Sequence, residues 1–469
     1  MTSTTSLSRP APPDIRQRLA TAVLLTANFT LAVDFSILNV ALPRIGAEVG
    51  FATEHLQWII TSFALCAAGF TLFFGRVADL FGRKRLFLAG IALLGASSLA
   101  GGLAQEPALL IAARIAQGIA TAMVTPAALS LLTTTFAEGP QRSRVLGLNG
   151  ALMAAGFTAG AVLGGVLAGT VSWRWAFFVN VIVAILVLVI APTAVRERRS
   201  DERPRLDVAG AILVTLALVA LVFGISNAGE SGWADPSTWL PLAGAAILVV
   251  VFGVVESRAR EPLVPLELLR RRNVAWGNIA GLIAFATETS LVFLLTLYLQ
   301  EILGHSALDA GLTLGVLGVG TVIGGLIAPR VIARIGSRGA IVLGLLVQAA
   351  VTAPLALLGT AAGSLPALLS LTFVGGIANL VAIVGYVVTA TGSLPADRQG
   401  LATGLVTLSQ QVGIALGTPV MAALVASRLA EGLLPALQYA IAGSAVIAGV
   451  AGAVLAVAHR QPAGAVGHG

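Results

Sequence analysis

The sequence is dominated by apolar runs about as long as a lipid bilayer is thick. A bilayer core needs about 20 consecutive apolar residues per helix, and this chain of 469 residues contains fourteen such runs. Their approximate limits are 19–42, 56–75, 86–105, 107–132, 145–170, 175–194, 208–228, 238–255, 274–299, 307–329, 339–360, 364–389, 400–427 and 433–457. Only 10% of residues are charged, against about 25% in soluble globular proteins, so a soluble enzyme or a secreted domain is excluded.

The basic residues indicate how these spans are oriented. If the N-terminus is cytoplasmic, 24 of the 28 Lys and Arg residues lie in inside segments, and only Arg44, Arg174 and Arg428 lie in outside loops. Cytoplasmic loops carry an excess of Lys and Arg, so both termini are predicted to be cytoplasmic. The net charge of +7 therefore reflects topology, and nucleic-acid binding is not expected. Of the 28 basic residues, 27 are Arg, a usage that indicates a bacterial genome of high GC content. Together with the apolar spans, this predicts a bacterial inner-membrane protein.

The two halves of the chain resemble each other at an offset of 254 residues. This shift superposes six pairs of basic residues, where chance predicts about 0.6. It also places Asp34 on Glu288 and Gly82 on Gly336. Parallel repeats of this kind are typical of transporters, whose binding sites lie near the midplane between the halves.

We therefore predict an all-α polytopic membrane protein of 14 transmembrane helices, made of two six-helix parallel repeats and an inserted two-helix hairpin. The predicted divisions are a cytoplasmic N-terminal segment (1–18), an N-terminal six-helix bundle (19–194), a linker with inserted helices 7 and 8 (195–272), a C-terminal six-helix bundle (273–458) and a cytoplasmic tail (459–469).

Three ionisable residues lie well inside the spans: Asp34 in span 1, Arg114 in span 4 and Glu288 in span 9. A charge at the helix centre costs about 2.5–3.5 kcal/mol on insertion scales, so each should face a partner or a cavity. At 1.5 Å per residue from Pro43 and Pro107, Asp34 and Arg114 lie roughly 13 and 10 Å below the outer face, which permits an ion pair. We interpret Asp34 and Glu288 as proton-coupling or substrate residues beside a shared, water-accessible chamber. The alternatives are a structural ion pair for Asp34 and a neutral, hydrogen-bonded carboxyl for Glu288.

The chain lacks the sequence motifs of ATP binding, of metal-dependent hydrolysis and of hydrolysis by a nucleophilic serine. It has no HExxH, no GxxxxGK[ST] and no nucleophile elbow in a strand context, so neither metal-dependent hydrolysis nor ATP drive is predicted. Cys66 is the single cysteine, which excludes an intrachain disulfide and a cysteine metal cage. We therefore predict no enzymatic activity, no metal and no cofactor, and expect a proton gradient to supply the energy.

Several segments resemble the major facilitator superfamily and, within it, the fourteen-span drug:proton antiporter branch. The matching segments are LAVDFSILNVALP (31–43) in span 1, GRVADLFGRKRLFLAG (75–90) between spans 2 and 3, RIAQGIATA (114–122) in span 4, GFTAGAVLGG (156–165) in span 5 and WRWAFFVN (173–180).

This resemblance implies roles for individual residues. The loop motif would form a cytoplasmic gate, with Asp79 near the N-terminus of span 13, and its residues are Gly75, Asp79, Gly82, Arg83 and Arg85. Arg114 and Gln117 would tune proton exchange at Asp34. The antiporter motif of span 5 comprises Gly156, Gly160, Gly164 and Gly165, although glycines at this spacing also serve ordinary helix packing. Ala161 stands where the family has a proline.

The resemblance predicts a proton-coupled antiporter that exports small lipophilic, cationic compounds by alternating access, as in multidrug or antibiotic efflux. A proton-coupled symporter that imports a small metabolite is the alternative, favoured by Ala161 and disfavoured by the fourteen spans. A third possibility is a sensor or scaffold that transports nothing, for which the sequence offers no appended soluble domain. The expected partners are a small-molecule substrate, protons and the lipid bilayer, and the protein is expected to be a monomer.

Overall fold

The computed structural model describes residues 14–52, 55–136, 140–195, 208–259, 271–360, 364–391 and 399–458. These residues form helices joined by short turns, and no β-strand occurs among them. The predicted N-terminal segment 1–18 lies mostly outside the described residues, and the predicted tail 459–469 lies wholly outside them.

The α-helices run in two series separated by a hairpin. The first series is α1 (Ile15–Ile37), α2 (Leu42–Val49), α3 (Gln57–Phe81), α4 (Arg83–Gly102), α5 (Pro107–Thr135), α6 (Pro140–Thr170) and α7 (Trp175–Ala194). The hairpin is α8 (Val208–Ser231) and α9 (Pro236–Arg258). The second series is α10 (Arg272–Leu297), extended by a π-helix (Tyr298–Ile302), then α11 (Ala307–Thr352), α12 (Leu365–Thr391), α13 (Gln399–Arg428) and α14 (Leu433–Ala458).

Eleven helices in the described part of the chain are long and apolar enough to cross a membrane. Two shorter apolar helices, Gln57–Thr71 and Ala155–Thr170, accompany them. The prediction of an all-α polytopic protein is confirmed, whereas the predicted number of fourteen spans is not. One reason is α11, whose 46 residues run through two predicted spans with a kink at Gly336.

Glycines and capping side chains set several helix ends. Gly82 separates α3 from α4 with a φ of 104°, and Gly336, its counterpart at the 254-residue offset, has a φ of 76°. Glycine adopts such positive φ values without steric penalty. At the start of α9 the Asp235 side chain accepts a hydrogen bond from the backbone N–H of Ser237 at 2.8 Å. Hydrogen bonds from Ser237 hold the pKa of the Asp235 carboxyl below its usual value.

Within each series the helices pack mainly on one another. In the first, α1 lies against α6 and α7, and α5 lies against α3 and α4. In the second, α10 contacts α12, α13 and α14, and α11 packs along α12. The hairpin is placed differently, because α8 contacts both α3 and α13 while α9 packs mainly on α8. Helix α8 therefore covers a seam between the two series.

The two series also meet at the end that is predicted to face outward. There α6 crosses α11 closely: a Cβ on Gly165 would lie 2.6 Å from the Ala307 carbonyl oxygen and 2.8 Å from Gly311 Cα. Nearby, the Gln300 side chain donates a hydrogen bond to the Val40 carbonyl oxygen at 2.7 Å. One apolar cluster draws buried residues from both series at this end. The end of the molecule that is predicted to face outward, called the outer end below, is therefore closed in this conformation.

Candidate functional site

Asp34 lies at the centre of a buried polar network within the first helical series. Its carboxylate accepts hydrogen bonds from Arg114 Nη1 at 3.2 Å and from Gln117 Nε2 at 3.2 Å. The Asn180 side-chain amide donates a third hydrogen bond, and Gln117 also donates to the Ser98 hydroxyl at 2.8 Å. The network therefore joins α1, α4, α5 and α7, and it brings together three of the predicted site residues, Asp34, Arg114 and Gln117.

The guanidinium of Arg114 is fully buried and held on several sides. Nε donates to the Ile59 carbonyl oxygen at 2.9 Å, and Nη1 donates to Gln117 Oε1 at 2.9 Å. The guanidinium carbon lies 4.2 Å from the centre of the Phe63 ring, a cation–π arrangement. Nη2 has no hydrogen-bond partner among the described residues. One buried donor of the cluster thus remains unsatisfied in this conformation.

Glu288 is placed differently from Asp34, although the two positions correspond in the sequence repeat. Its carboxylate makes no hydrogen bond or ion pair with another described residue. It retains 9% exposure, whereas Asp34 has 1%. Both acids are therefore buried in this conformation, Asp34 among its partners, and the shared chamber stays a prediction.

The structure describes all residues of the loop motif except the side chain of Asp79. Gly75 lies in α3, where a Cβ would be 3.8 Å from Pro126, and Gly82 forms the break between helices. Arg83 is half-buried and Arg85 is exposed. The Asp79 backbone belongs to α3, but its side chain lies outside the described part of the structure, so its predicted gate contact stays a prediction.

The antiporter glycines of α6 contact two different neighbours. Gly156 and Gly160 lie against α1, where added Cβ atoms would come within 2.9 Å of the Phe29 carbonyl oxygen and 2.6 Å of that of Val33. Gly164 faces the Ile37 carbonyl oxygen of the same helix, whereas Gly165 faces α11. These glycines thus allow close approach both within the first series and across to the second.

Sequence reasoning missed several members of these networks. Asn180 ends the WRWAFFVN segment but carried no predicted role, and Ser98 and Phe63 had none either. The signal available for Asn180 and Ser98 was their polarity within apolar runs, which does not by itself identify a partner. A second buried network, formed by Thr287, Gln348 and Asn379, was also not predicted.

Comparison with known proteins gives one consistent result. Residues 24–418 match the family described as Major Facilitator Superfamily. A cephamycin export protein from Amycolatopsis lactamdurans is 38% identical over 434 residues, covering 90% of this chain and 88% of that protein. A puromycin resistance protein from Streptomyces alboniger is 36% identical, covering 87% and 82%. A tetracenomycin C resistance and export protein from Streptomyces glaucescens is 32% identical, covering 86% and 74%.

Solved structures agree on the fold. A crystal structure of a peptide transporter superposes with a TM-score of 0.67 at 17% identity, covering 96% of this chain and 99% of that one. The human organic anion transporter MFSD10 superposes with a TM-score of 0.62 at 16% identity, covering 95% and 100%. At these identities the likeness concerns the architecture alone.

Proposed function

The chain belongs to the major facilitator superfamily, and from this premise we propose that it is a proton-coupled antiporter that exports small lipophilic, cationic compounds by alternating access. Its relatives include proteins named for cephamycin export and for puromycin and tetracenomycin C resistance. These names favour outward transport of antibiotics or related compounds across a bacterial cell membrane.

The buried Asp34–Arg114 pair is the observation that carries the proton-coupling proposal. Removing two charges from water is costly, and their attraction repays this cost only with good geometry and further hydrogen bonds. Here Gln117 and Asn180 supply such hydrogen bonds. A proton that binds Asp34 removes the counter-charge of Arg114 and so destabilises this closed arrangement. Protonation is thereby linked to movement of the helices that the network joins.

Glu288 supplies the second acid of the proposal. It lies within α10 and is 9% exposed. In its anionic form it attracts a cationic cargo, and protonation cancels this attraction. Proton entry from outside therefore releases the cargo, and loss of the proton to the cytoplasm restores the anionic site.

The same proposal includes fourteen spans with both termini inside. Counting α11 as two spans on either side of the Gly336 kink, and adding the shorter apolar helices Gln57–Thr71 and Ala155–Thr170, extends the eleven long helices to this number. The hairpin α8–α9 then lies between two six-span halves, with the first half in residues 19–194 and the second in 273–458.

Neutralising either acid tests the proposal. In cells that produce the protein, we expect Asp34→Asn or Glu288→Gln to abolish energy-dependent efflux of ethidium, a lipophilic cation, while folded protein remains in the membrane. Asp309→Asn is the matched control, because Asp309 is an exposed acid whose partner is Ser306 at the start of α11. Unchanged efflux in both buried-acid variants would remove the proposed coupling site.

The symporter alternative rests on Ala161. The fourteen spans of the proposal and the relatives named for export or resistance favour antiport over it. A protein that imports its cargo would move protons in the same direction as the cargo, which distinguishes the two functions experimentally.

A further inference from the structure

A second polar network lies beside Glu288 and consists of three neutral residues on three helices. Thr287 of α10, Gln348 of α11 and Asn379 of α12 are each at most 3% exposed. Gln348 Nε2 donates to the Thr287 hydroxyl at 3.0 Å, and Asn379 Nδ2 donates to Gln348 Oε1 at 3.2 Å. These helices are the second-half counterparts of spans 1, 3 and 4, whose side chains form the Asp34 network. Each half thus contains a buried polar network, charged in the first half and neutral in the second.

The backbone carbonyl oxygens at the two ends of this network determine which groups donate and which accept in each of its hydrogen bonds. Asn379 Nδ2 also donates to the Ala284 carbonyl oxygen at 3.0 Å, and the Thr287 hydroxyl donates to the Ile283 carbonyl oxygen at 2.8 Å. Backbone carbonyls only accept, so a flipped amide at Asn379 or Gln348 would set acceptor against acceptor or donor against donor. Asn379 Oδ1 is left without a partner among the described residues. The network therefore has one arrangement rather than two.

The network holds one side of α10 at the level of Glu288, and a close helix contact holds the other side. A Cβ on Gly417 of α13 would lie 2.6 Å from the Thr289 hydroxyl oxygen. Successive helical residues lie about 100° apart, so Glu288 projects between the side fixed by Thr287 and the side fixed by Thr289. Rotation of α10 in either direction would carry the carboxyl toward α12 or toward α13.

We propose that Thr287, Gln348 and Asn379 are positioning residues that fix the rotation of α10 so that the Glu288 carboxyl stays unpaired and keeps its small exposed fraction. This proposal rests on the proposed function of Glu288 as a coupling acid. The rotation of α10 is set by contacts that do not involve Glu288. Thr287, just before it, is hydrogen-bonded to Gln348, and Thr289, just after it, packs on Gly417. The Glu288 carboxylate itself makes no hydrogen bond with a described residue. A rigid backbone with an unengaged acid is suited to exchange with protons and cargo.

Chemical modification of Glu288 tests the proposal without requiring transport. The full-length protein in liposomes is treated with a water-soluble carbodiimide and glycine ethyl ester, and modification of Glu288 is followed by peptide mass spectrometry. Thr287→Val removes the hydroxyl that accepts from Gln348 and leaves a buried donor unsatisfied, whereas Thr287→Ser keeps the hydroxyl. We expect Thr287→Val to slow modification by about threefold or more, and Thr287→Ser to match the unaltered protein.

Two further variants guard against a simple loss of stability. Gln348→Leu removes the same hydrogen bond from α11 and is expected to slow modification as well, so the test survives if Thr287→Val does not fold. Thr296→Val is the matched control, because the buried Thr296 hydroxyl bonds only within α10, to the Val292 carbonyl oxygen, and its modification rate at Glu288 should be unchanged.

The outcomes separate this proposal from the proposed function. Modification of Glu288 at the unaltered rate in folded Thr287→Val and Gln348→Leu proteins would overturn the positioning role, as would failure of Glu288 to react in the unaltered protein. If Thr287→Val slows modification but Glu288→Gln still exports ethidium with proton coupling, the positioning role stands and the coupling role of Glu288 falls.

Discussion

The Asp34–Arg114 pair shows how much of the energetics depends on each partner being present. Both side chains are at most 1% exposed and their charged atoms lie 3.2 Å apart. Removing one member of a buried pair leaves an uncompensated charge, whereas removing both is often close to neutral. The pair is therefore suited to a switch that protonation can open.

Substitutions of Asp34 and Arg114 are expected to have strongly non-additive effects on the free energy of unfolding. Arg114→Met should lower the free energy of unfolding by about 3–5 kcal/mol, because the Asp34 carboxylate loses its counter-charge. Adding Asp34→Asn should recover part of this loss, as measured by denaturation in detergent micelles. A double variant no more stable than Arg114→Met would argue against an ionised pair.

The sequence located the charged residues better than their partners. Asp34 and Arg114 were predicted at similar depths from their distances to Pro43 and Pro107, and the structure pairs them. Asn180 and the Thr287–Gln348–Asn379 network were not predicted, because a neutral polar residue in an apolar helix can bond to its own backbone or to a distant helix. Only the packing of α7 on α1, and of α10, α11 and α12 on one another, distinguishes these cases.

At the scale of helices, the contacts at the outer end close the molecule. The hydrogen bond from Gln300 to the Val40 carbonyl oxygen joins the π-helical end of α10 to the turn after α1. Single-turn π-helical segments often occur at functional sites. In the proposed alternating-access cycle this end opens, and this hydrogen bond then has to break.

We expect Gln300→Leu to favour the outward-open state by about fivefold, since a protein hydrogen bond contributes roughly 1 kcal/mol net. The measurement is the rate at which a water-soluble maleimide labels Leu42→Cys, a position fully buried in the outer cluster, in a Cys66→Ser background. Gln438→Leu is the matched control, because Gln438 donates to the Leu358 carbonyl oxygen within the second series. Equal labelling rates in the two glutamine variants would contradict a gating role.

Helix boundaries illustrate what hydropathy can and cannot establish. The predicted break between spans 2 and 3 occurs at Gly82, and the corresponding break in the second half occurs at Gly336, whose backbone angles are also non-helical. The repeat correctly paired two glycines with positive φ. Hydropathy predicts both breaks, but it does not show at which residue the chain changes direction.

At the scale of the whole molecule, the membrane orientation is predicted from the charge distribution alone and is open to direct test. Alkaline phosphatase fused after Gly469 should be inactive, because the C-terminus is expected to be cytoplasmic. The same enzyme fused after Ser172, in the turn between α6 and α7, should be active because that turn is predicted to lie outside. Phosphatase activity from the C-terminal fusion would reverse the predicted topology.

The hairpin contacts both halves of the molecule. Helix α8 is tied to the first series by the hydrogen bond from Thr215 to the Gly69 carbonyl oxygen at 2.7 Å, and its apolar residues also pack on α13. The repeat and the apolar runs predicted the all-helical architecture, but the position of α8 over the seam could not be predicted, because hydropathy carries no information on which helices touch.

Simultaneous recording of proton and cargo movement tests the central claim most directly. In liposomes containing the protein and a pH-sensitive dye, ethidium movement down its gradient should drive protons in the opposite direction, and Asp34→Asn and Glu288→Gln should each abolish this exchange. Protons moving in the same direction as ethidium, or opposite proton movement that persists in both variants, would contradict proton-coupled antiport through these two acids.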